Sequence, residues 1–257
     1  MNTHTLFDKR QKKPIVYRVA EYNEDYTVQQ IDTFKFGKSS LRFITPNFIS
    51  LNMNSHERAL KNAKEIYQQL VKPKQKENQL FEFSEQETVL LYDYFEYIQT
   101  AIISITTAIE ALTNALIPED YILKEKDKGE DKELNKGEIE RTKGTIVKLK
   151  KIIPDALSIS SPTKLKSWTK FTQLIDLRND LIHLKSFTLS PSAGDRHIVT
   201  ALLDEKVFNK INAGSLFIGE LARLVPFHNE YPILHNTEKL IPIKIEKWYG
   251  TFKKVEE

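Results

Sequence analysis

Cysteine is missing from this chain of 257 residues. Its absence excludes disulfide bonds, thiolate zinc sites and cysteine nucleophiles, and it is compatible with a reducing compartment. Glycine is scarce, at eight residues, and the sequence holds no Gly-rich phosphate loop of the Walker or Rossmann kind. A Gly-x-Ser-x-Gly nucleophile elbow is also missing. The common nucleotide-binding loops and this serine hydrolase motif are therefore excluded.

Metal-binding motifs are missing as well. The sequence has no His-Glu-x-x-His motif and no cluster of carboxylates, and four of its six histidines lack the paired spacing of a metal site. These four are His4, His56, His197 and His235. We therefore expect neither a metal ion nor another cofactor.

No run of residues is apolar for long enough to predict a membrane span. The best candidate, residues 97–117, carries a single charge at Glu110, but polar residues interrupt it too often, so a buried helix is the better interpretation. The chain starts with polar residues, and the basic run at residues 9–13 is not followed by the apolar core of a signal peptide. These features predict a cytoplasmic protein with no membrane partner.

The composition that is present is typical of a folded protein. Hydrophobic residues make up 40% of the chain and charged residues 28%, which lies outside the disordered range. The formal net charge is only +3, so the overall charge does not by itself indicate a nucleic-acid partner. A case for nucleic acid must rest on local sites.

The first part of the chain predicts short strands followed by a helix. The β-prone runs are residues 15–19, 33–36 and 41–44. A Gly-Lys-Ser-Ser loop separates the last two runs, which suggests a small antiparallel hairpin or meander. Asn54, with Glu57 three residues later, matches a capping box that opens a helix through about Leu70. We assign residues 1–83 to an N-terminal extension.

Helical patterns dominate the chain after this extension. Ser84 and Glu87 match a second capping box, which opens the longest helix and predicts that it continues to Ile117, before Pro118. Further helices are predicted over about 145–153, from Pro162 toward Lys185, and over about 204–224. The segment 119–143 is dense in charged residues and predicts an exposed, mobile connection.

Together these elements predict a mainly α protein. Residues 84–225 would form an antiparallel helical bundle, and the N-terminal extension would add a small β-containing part. Residues 226–257 contain three prolines and are predicted to pack on the bundle as a tail, with one strand at 241–245.

One predicted helix carries a polar face of unusual composition. Its apolar stripe, which is predicted to pack into the core, consists of Leu174, Leu177, Leu181 and Leu184. At about 100° per residue, Asn179 and His183 point away from this stripe, and Arg178 lies on its flank. Ile175 and Ile182 fall on the same side as Arg178. An apolar element on this second face predicts a packing surface, most simply for a second subunit.

Arg178 and His183 form an Arg-x4-His motif, and Asn179 directly follows the arginine. Upstream, the long helix contains the segment 108–116, Ala-Ile-Glu-Ala-Leu-Thr-Asn-Ala-Leu. In these features the sequence resembles the HEPN (higher eukaryote and prokaryote nucleotide-binding) superfamily, whose active members have an Arg-x4-6-His motif late in a helical bundle. The resemblance covers about residues 84–224 and implies a HEPN-like bundle.

The same spacing occurs a second time, from Arg223 to His228. Pro226 lies inside this second match and would break a helix there. We therefore assign the function to the first match alone.

The resemblance implies metal-independent RNA cleavage, in which a ribose 2′-hydroxyl attacks the neighbouring phosphate and leaves a 2′,3′-cyclic phosphate and a 5′-hydroxyl. His183 suits the proton transfer, because an imidazole exchanges protons near neutral pH. Arg178 suits stabilisation of the phosphorane, because a guanidinium is permanently charged and can grip two phosphate oxygens. Asn179 would orient His183 or donate to a phosphate oxygen. The family's settings imply a toxin or an antiviral defence component, with a neutralising or regulatory protein as a further partner.

Family members usually dimerise so that two motifs meet, which agrees with the predicted face of Ile175 and Ile182. Glu110 would support the same site as a partner of Arg178, because a buried carboxylate needs a nearby cation. Lysines could line an RNA groove, because phosphate contacts come from Lys and Arg. The candidates are Lys148, Lys151, Lys164, Lys166 and Lys170.

Other interpretations stay open at this point. Arg178 and His183 also fit a solvated helix face beside a structural pair of Glu110 and Arg178. A non-catalytic HEPN-like dimerisation module would bind nucleotide, RNA or protein through the same helix without chemistry. The lysines equally fit an ordinary protein surface.

Overall fold

The computed structural model describes residues 8–75, 80–127, 130–183, 194–225 and 243–246. The chain divides into two compact units, one made of Met1–Ser50 with Asn229–Glu257 and the other of Leu51–His228. The three segments predicted from the sequence, 1–83, 84–225 and 226–257, have boundaries at different residues. That division stays a prediction.

The first unit contains a three-stranded sheet. Its strands are β1 (Ile15–Val19), β2 (Glu24–Val28) and β7 (Ile243–Ile245), in the order β2-β1-β7. β2 pairs with β1 in an antiparallel register, and β7 pairs with β1 in a parallel register. The predicted strand at 15–19 is confirmed, and the strand predicted at 241–245 is confirmed over 243–245. The remaining tail residues, 226–242 and 247–257, lie outside the described part of the chain.

The same unit contains a hairpin of two strands, β3 (Ile31–Phe36) and β4 (Ser39–Ile44). They pair in an antiparallel register that begins with Ile31 opposite Ile44, so the predicted hairpin is confirmed. Gly37 and Lys38 form its two-residue turn, and Gly37 has a φ of +59°, a conformation that glycine adopts without strain.

The first helix, α1 (Phe48–Ile66), begins earlier than predicted. Asn54 lies inside it, so the capping box predicted at Asn54 and Glu57 is wrong. The residue before the helix is Asn47, whose side-chain oxygen accepts a hydrogen bond from the Ser50 backbone N–H at 3.0 Å. Such a bond satisfies one of the free N–H groups of a first helical turn. A π-helical turn (Tyr67–Val71) and a 3-10 turn (Lys72–Lys74) follow α1.

The longest helix is α2 (Glu85–Ala115). The Glu87 backbone N–H donates to the Ser84 hydroxyl at 3.3 Å, and the Ser84 backbone N–H donates to the Glu87 carboxylate at 2.9 Å. The predicted capping box and the helix that follows it are therefore confirmed. None of the helices in the described ranges, α2 included, is long and apolar enough to cross a membrane.

The charged segment after α2 has regular structure. It forms a hairpin of β5 (Leu123–Asp127) and β6 (Glu130–Leu134), followed by α3 (Lys136–Thr142). Three of the five facing pairs join opposite charges, and the Lys124 ammonium lies 3.1 Å from the Glu133 carboxylate. Opposite charges at facing positions favour an antiparallel pair. The predicted exposure is confirmed for β6, where four of the five residues are exposed, but the expectation of a mere connection is wrong, because the segment forms two strands and a helix.

The remaining helices follow in quick succession. Their bounds are α4 (Thr145–Val147), a π-helical turn (Lys148–Ile152), α5 (Ile153–Leu157), a 3-10 turn (Pro162–Lys164), α6 (Trp168–Ile182), α7 (Gly194–Leu203) and α8 (Lys206–Leu224). Leu174 of α6 and Ile105 of α2 are fully buried against Gly214 of α8, where a side-chain carbon would lie within 3.0 Å of both. α2, α6 and α8 thus meet at one tight crossing.

The predicted fold class, a mainly α antiparallel bundle with a small β-containing extension, is wrong. The described residues form seven strands in three small sheets besides the helices, so the class is mixed α and β. One of these sheets, β5 with β6, lies inside the segment that was predicted to be a bundle. The sequence did not predict this sheet, because strands rich in charged residues lack the apolar alternation by which strands are predicted.

Candidate functional site at the end of α6

The three motif residues lie together at the carboxyl end of α6. Asn179 and His183 are exposed, Arg178 is half-buried, and Leu174 and Leu177 on the opposite side are buried. The predicted stripe is therefore confirmed at its first two leucines. Leu181 is half-buried, and Leu184 lies outside the described residues.

One side-chain hydrogen bond joins two of the motif residues, and a helical backbone bond reaches the third. The Arg178 guanidinium donates to the side-chain oxygen of Asn179 at 3.2 Å, and the His183 backbone N–H donates to the Asn179 carbonyl at 2.9 Å. α6 ends at His183, where the backbone leaves helical geometry with φ −104° and ψ 55°. The bond from Arg178 holds the Asn179 amide on the side of the guanidinium, so a cation, an amide and an imidazole share one exposed helix end.

The directions of the helices place Glu110 away from this end. Ser167, just before α6, donates to Glu220 near the end of α8, whereas Leu174 lies at Gly214, so α6 and α8 run antiparallel. Tyr94 of α2 donates to the carbonyl of Leu202, shortly before α8 begins, so α2 and α8 run parallel. α2 and α6 are therefore antiparallel.

From the crossing of Ile105 with Leu174, Arg178 lies four residues along α6 and Glu110 lies five residues along α2. Because the two helices are antiparallel, these steps lead in opposite directions. At 1.5 Å per residue the two levels differ by about 14 Å. Glu110 and Arg178 are thus too far apart for a direct ion pair in this arrangement.

The cation near Glu110 is Lys148, the first residue of the π-helical turn Lys148–Ile152. Lys148 is fully buried, and its ammonium donates to the side-chain oxygen of Asn114 at 2.7 Å and to the carbonyl of Glu140 at 3.0 Å. Burial lowers the pKa of Lys148, and the negative charges of Glu110 and Glu140 act in the opposite direction. Glu110 is exposed, so the premise that it needs a buried partner does not hold.

The lysines predicted to line an RNA groove fall into two groups. Lys148 is buried and committed to oxygens of its own chain, so it is not placed to contact a phosphate. The other four, Lys151, Lys164, Lys166 and Lys170, are exposed. Three of these lie at the amino end of α6, and the fifteen residues of that helix separate them from His183 by roughly 20 Å. The chain does not gather these lysines around the motif.

The predicted dimer face is partly open. Ile182 is 43% exposed and Ile175 is half-buried. Arg223, the first residue of the second Arg-x4-His match, lies exposed in the last turn of α8, and the rest of that match, including Pro226 and His228, lies outside the described residues. The structure therefore describes only the first match in full.

A second polar cluster, which lies around His56, was not predicted from the sequence. The buried His56 of α1 lies with Nδ1 2.9 Å from the Ala101 carbonyl of α2 and with Nε2 3.3 Å from the Ser215 hydroxyl of α8. Because a carbonyl only accepts, Nδ1 carries the proton, and Nε2 accepts from the serine. A signal was present, since His56 lies three residues after Met53 and four before Leu60, both of which are buried.

Within the described ranges, no group of three or more His, Asp or Glu side chains is arranged to hold a metal ion. Comparison of the chain with family models, with curated proteins and with solved structures gives no match. The function must therefore be argued from the residues themselves.

Proposed function

We propose that this protein is a metal-independent endoribonuclease of the HEPN kind, with its active site at the carboxyl end of α6. The observation that carries the proposal is that Arg178, Asn179 and His183 share the carboxyl end of α6, where Asn179 and His183 are exposed and the Arg178 guanidinium donates to the Asn179 side chain. These are the side chains of the motif on which the resemblance rests. The exposure of Asn179 and His183 leaves this helix end accessible to a large substrate such as RNA.

In this proposal His183 exchanges the protons of the reaction. It takes the proton of the ribose 2′-hydroxyl, or returns one to the departing 5′-oxygen, because an imidazole can do either near neutral pH. Arg178 neutralises the charge that grows on the phosphate oxygens. Asn179 positions the guanidinium that donates to it. The products are a 2′,3′-cyclic phosphate and a 5′-hydroxyl, so no metal ion is needed for the attacking group.

A homodimer completes the proposal. A single helix end offers one imidazole, whereas proton removal and proton donation are faster with two separate groups. A second copy packed through Ile175 and Ile182 would add its own motif. We also propose a cytoplasmic setting, a role as a toxin or antiviral component, and control by a neutralising or regulatory protein, all of which follow from the resemblance.

The test is cleavage of mixed RNA by purified protein in the presence of EDTA, with end-group analysis of the products. We expect the parent protein to leave cyclic phosphate ends, and we expect Arg178→Ala and His183→Ala to lower the rate by about 10²–10⁴-fold. Arg223→Ala and His197→Ala are the matched controls, because both residues are exposed on other helices. These two variants should cleave like the parent.

Each contrary result has a definite meaning. Equal activity of all variants would place the cleavage elsewhere or in a contaminant. Loss of activity in EDTA would indicate a metal-dependent nuclease. No cleavage by the parent, together with RNA binding that depends on Arg178, would favour the alternative of a non-catalytic binding module.

A further inference from the structure

The β3–β4 hairpin of the first unit has one face on which four of the six residues are apolar. In its register Phe34 lies opposite Leu41, Phe36 opposite Ser39, and Asp32 opposite Phe43. Paired residues share a face, and alternate residues along a strand do so as well. The rings of Phe34 and Phe43 stack with their centroids 5.1 Å apart and their planes 22° apart. We call this surface, made of Phe34, Phe36, Leu41 and Phe43, the aromatic face.

The aromatic face is open to solvent. Phe36 is 71% exposed, and the other three side chains are each close to half exposed. A hairpin of two strands has no second layer of its own in which to bury three phenylalanines. Exposed apolar side chains that adjoin one another in this way are typical of interaction surfaces.

The hairpin is also cationic. Its fourteen residues include three exposed cations, Lys35, Lys38 and Arg42, and one carboxylate, Asp32. Asp32 lies at the base of the hairpin, where it accepts hydrogen bonds from the Thr45 hydroxyl and the Gln30 amide. Lys38 lies at the tip, two residues after Phe36.

Lys35 and Arg42 start from the opposite face of the hairpin. A two-stranded hairpin is only about 5 Å wide between strand axes, so their long side chains can reach its edges. A second copy of this chain would bring the same three cations to the contact, whereas a polyanion would neutralise them. Charge complementarity therefore favours a nucleic acid as the occupant.

We infer that the aromatic face binds single-stranded RNA, with bases stacked on Phe34, Phe36 and Phe43 and the phosphates along the cationic edges. Aromatic rings accept unpaired bases of any identity, and lysine and arginine hold the backbone. Three rings offer room for two or three bases. A duplex keeps its bases stacked inside and cannot use such a face. The choice of RNA rests on the proposed function, while the surface itself lies outside the α6 motif.

The test measures binding of a fluorescent twelve-residue oligouridylate to the full-length His183→Ala protein, which removes the complication of cleavage. We expect Phe36→Ala to weaken binding about tenfold, because stacking of one base on one ring has about that effect. Phe36→Tyr should restore binding, since the ring is kept, and Phe36→Leu should not, since an apolar chain without a ring cannot stack. Tyr22→Ala is the matched control, because Tyr22 is an aromatic residue of the same unit that is 55% exposed and lies outside the hairpin.

The cations give an independent measurement. Lys38→Ala and Arg42→Ala should each reduce the slope of log affinity against log salt by about 0.7, as expected for one lost phosphate contact to a single strand. A duplex of the same length should bind more weakly than the single strand.

The inference is overturned if the His183→Ala reference protein binds no single-stranded RNA, if Phe36→Leu binds as well as Phe36→Tyr, or if Tyr22→Ala weakens binding as much as Phe36→Ala. A dimer that dissociates on Phe36→Ala without RNA would also overturn it, because the face would then be a contact between copies. Failure of the proposed nuclease is distinguishable, since it would abolish cleavage and leave this binding intact.

Discussion

Phenylalanine has opposite surroundings in the unit Leu51–His228, here called the helical unit, and in the β3–β4 hairpin. Phe171 of α6 is fully buried, and its ring stacks on Phe217 of α8 with a centroid distance of 4.1 Å and an angle of 7°. Phe36 of the hairpin is 71% exposed. Burial of a ring stabilises a fold in proportion to the area removed from water. The same residue type therefore stabilises the helical unit and is left available for a ligand in the hairpin.

The largest expected effect is the difference between alanine substitutions at these two phenylalanines. Phe171→Ala should lower the free energy of unfolding by about 3–5 kcal/mol, because it removes a buried ring and leaves a cavity. Phe36→Ala should change it by no more than about 0.5 kcal/mol, because the ring is already in water. Urea unfolding followed by circular dichroism measures both. A large loss for Phe36→Ala would show that the hairpin face is covered in the folded protein and would break the comparison.

Two glycines give a smaller contrast of opposite sign. A side-chain carbon at Gly214 would lie 2.6 Å from Ile105 and 3.0 Å from Leu174, both fully buried. Gly214→Ala should therefore destabilise the protein by about 1–2 kcal/mol, since crowding outweighs the gain of about 1 kcal/mol in helix propensity.

Gly137 of α3 is the matched control, because its nearest neighbour for a new carbon is 3.5 Å away, an ordinary contact. Gly137→Ala should leave stability unchanged or raise it by up to about 1 kcal/mol. The midpoints of urea unfolding compare the two variants when both have the same m-value, the slope of unfolding free energy against urea concentration. If Gly214→Ala were as stable as Gly137→Ala, the crossing of α2, α6 and α8 would be looser than its distances imply.

How far the fold follows from the sequence depends on how local each signal is. The box at Ser84 was predictable because both of its hydrogen bonds join residues three apart. The start of α1 was not, because Asn47 and Asn54 are seven residues apart. Seven residues are nearly two full turns, so both asparagines fit the same helical phase. The pairing of β7 with β1 joins opposite ends of the chain, and no local sequence pattern predicts it.

The candidate site shows the same limit. The exposure of Asn179 and His183 followed from the period of the leucine stripe. The proposed partnership of Glu110 with Arg178 depended on the directions of α2 and α6, which the sequence does not contain. The charge of Lys148 predicts a surface position, yet Lys148 lies four residues before the buried Ile152 and so on the same helical face. Position relative to the apolar stripe was a better guide there than residue type.

The smallest expected effect concerns the buried histidine, and it extends the comparison from rings to charges. Burial lowers the pKa of His56, although its hydrogen bond to the Ala101 carbonyl acts in the opposite direction. The unfolded chain therefore binds a proton at a higher pH than the folded protein does. The contribution of neutral His56 to stability is fully present above about pH 6.5, the ordinary pKa of histidine. It is lost as the pH falls from there through the lowered pKa of the folded protein.

His56→Gln tests this step, because an amide can donate to the Ala101 carbonyl but cannot take up a proton. The variant should be less stable than the parent at pH 8, since glutamine does not reproduce both ring contacts, and its stability should fall less than the parent's between pH 7 and pH 5. Urea midpoints at each pH give the difference between the two slopes. Parallel curves for the two proteins would mean that His56 takes up its proton as readily in the folded protein as in the unfolded chain. The helical unit would then tolerate a charge at the junction of α1, α2 and α8, and the contrast between its closed interior and the open hairpin would hold for apolar side chains alone.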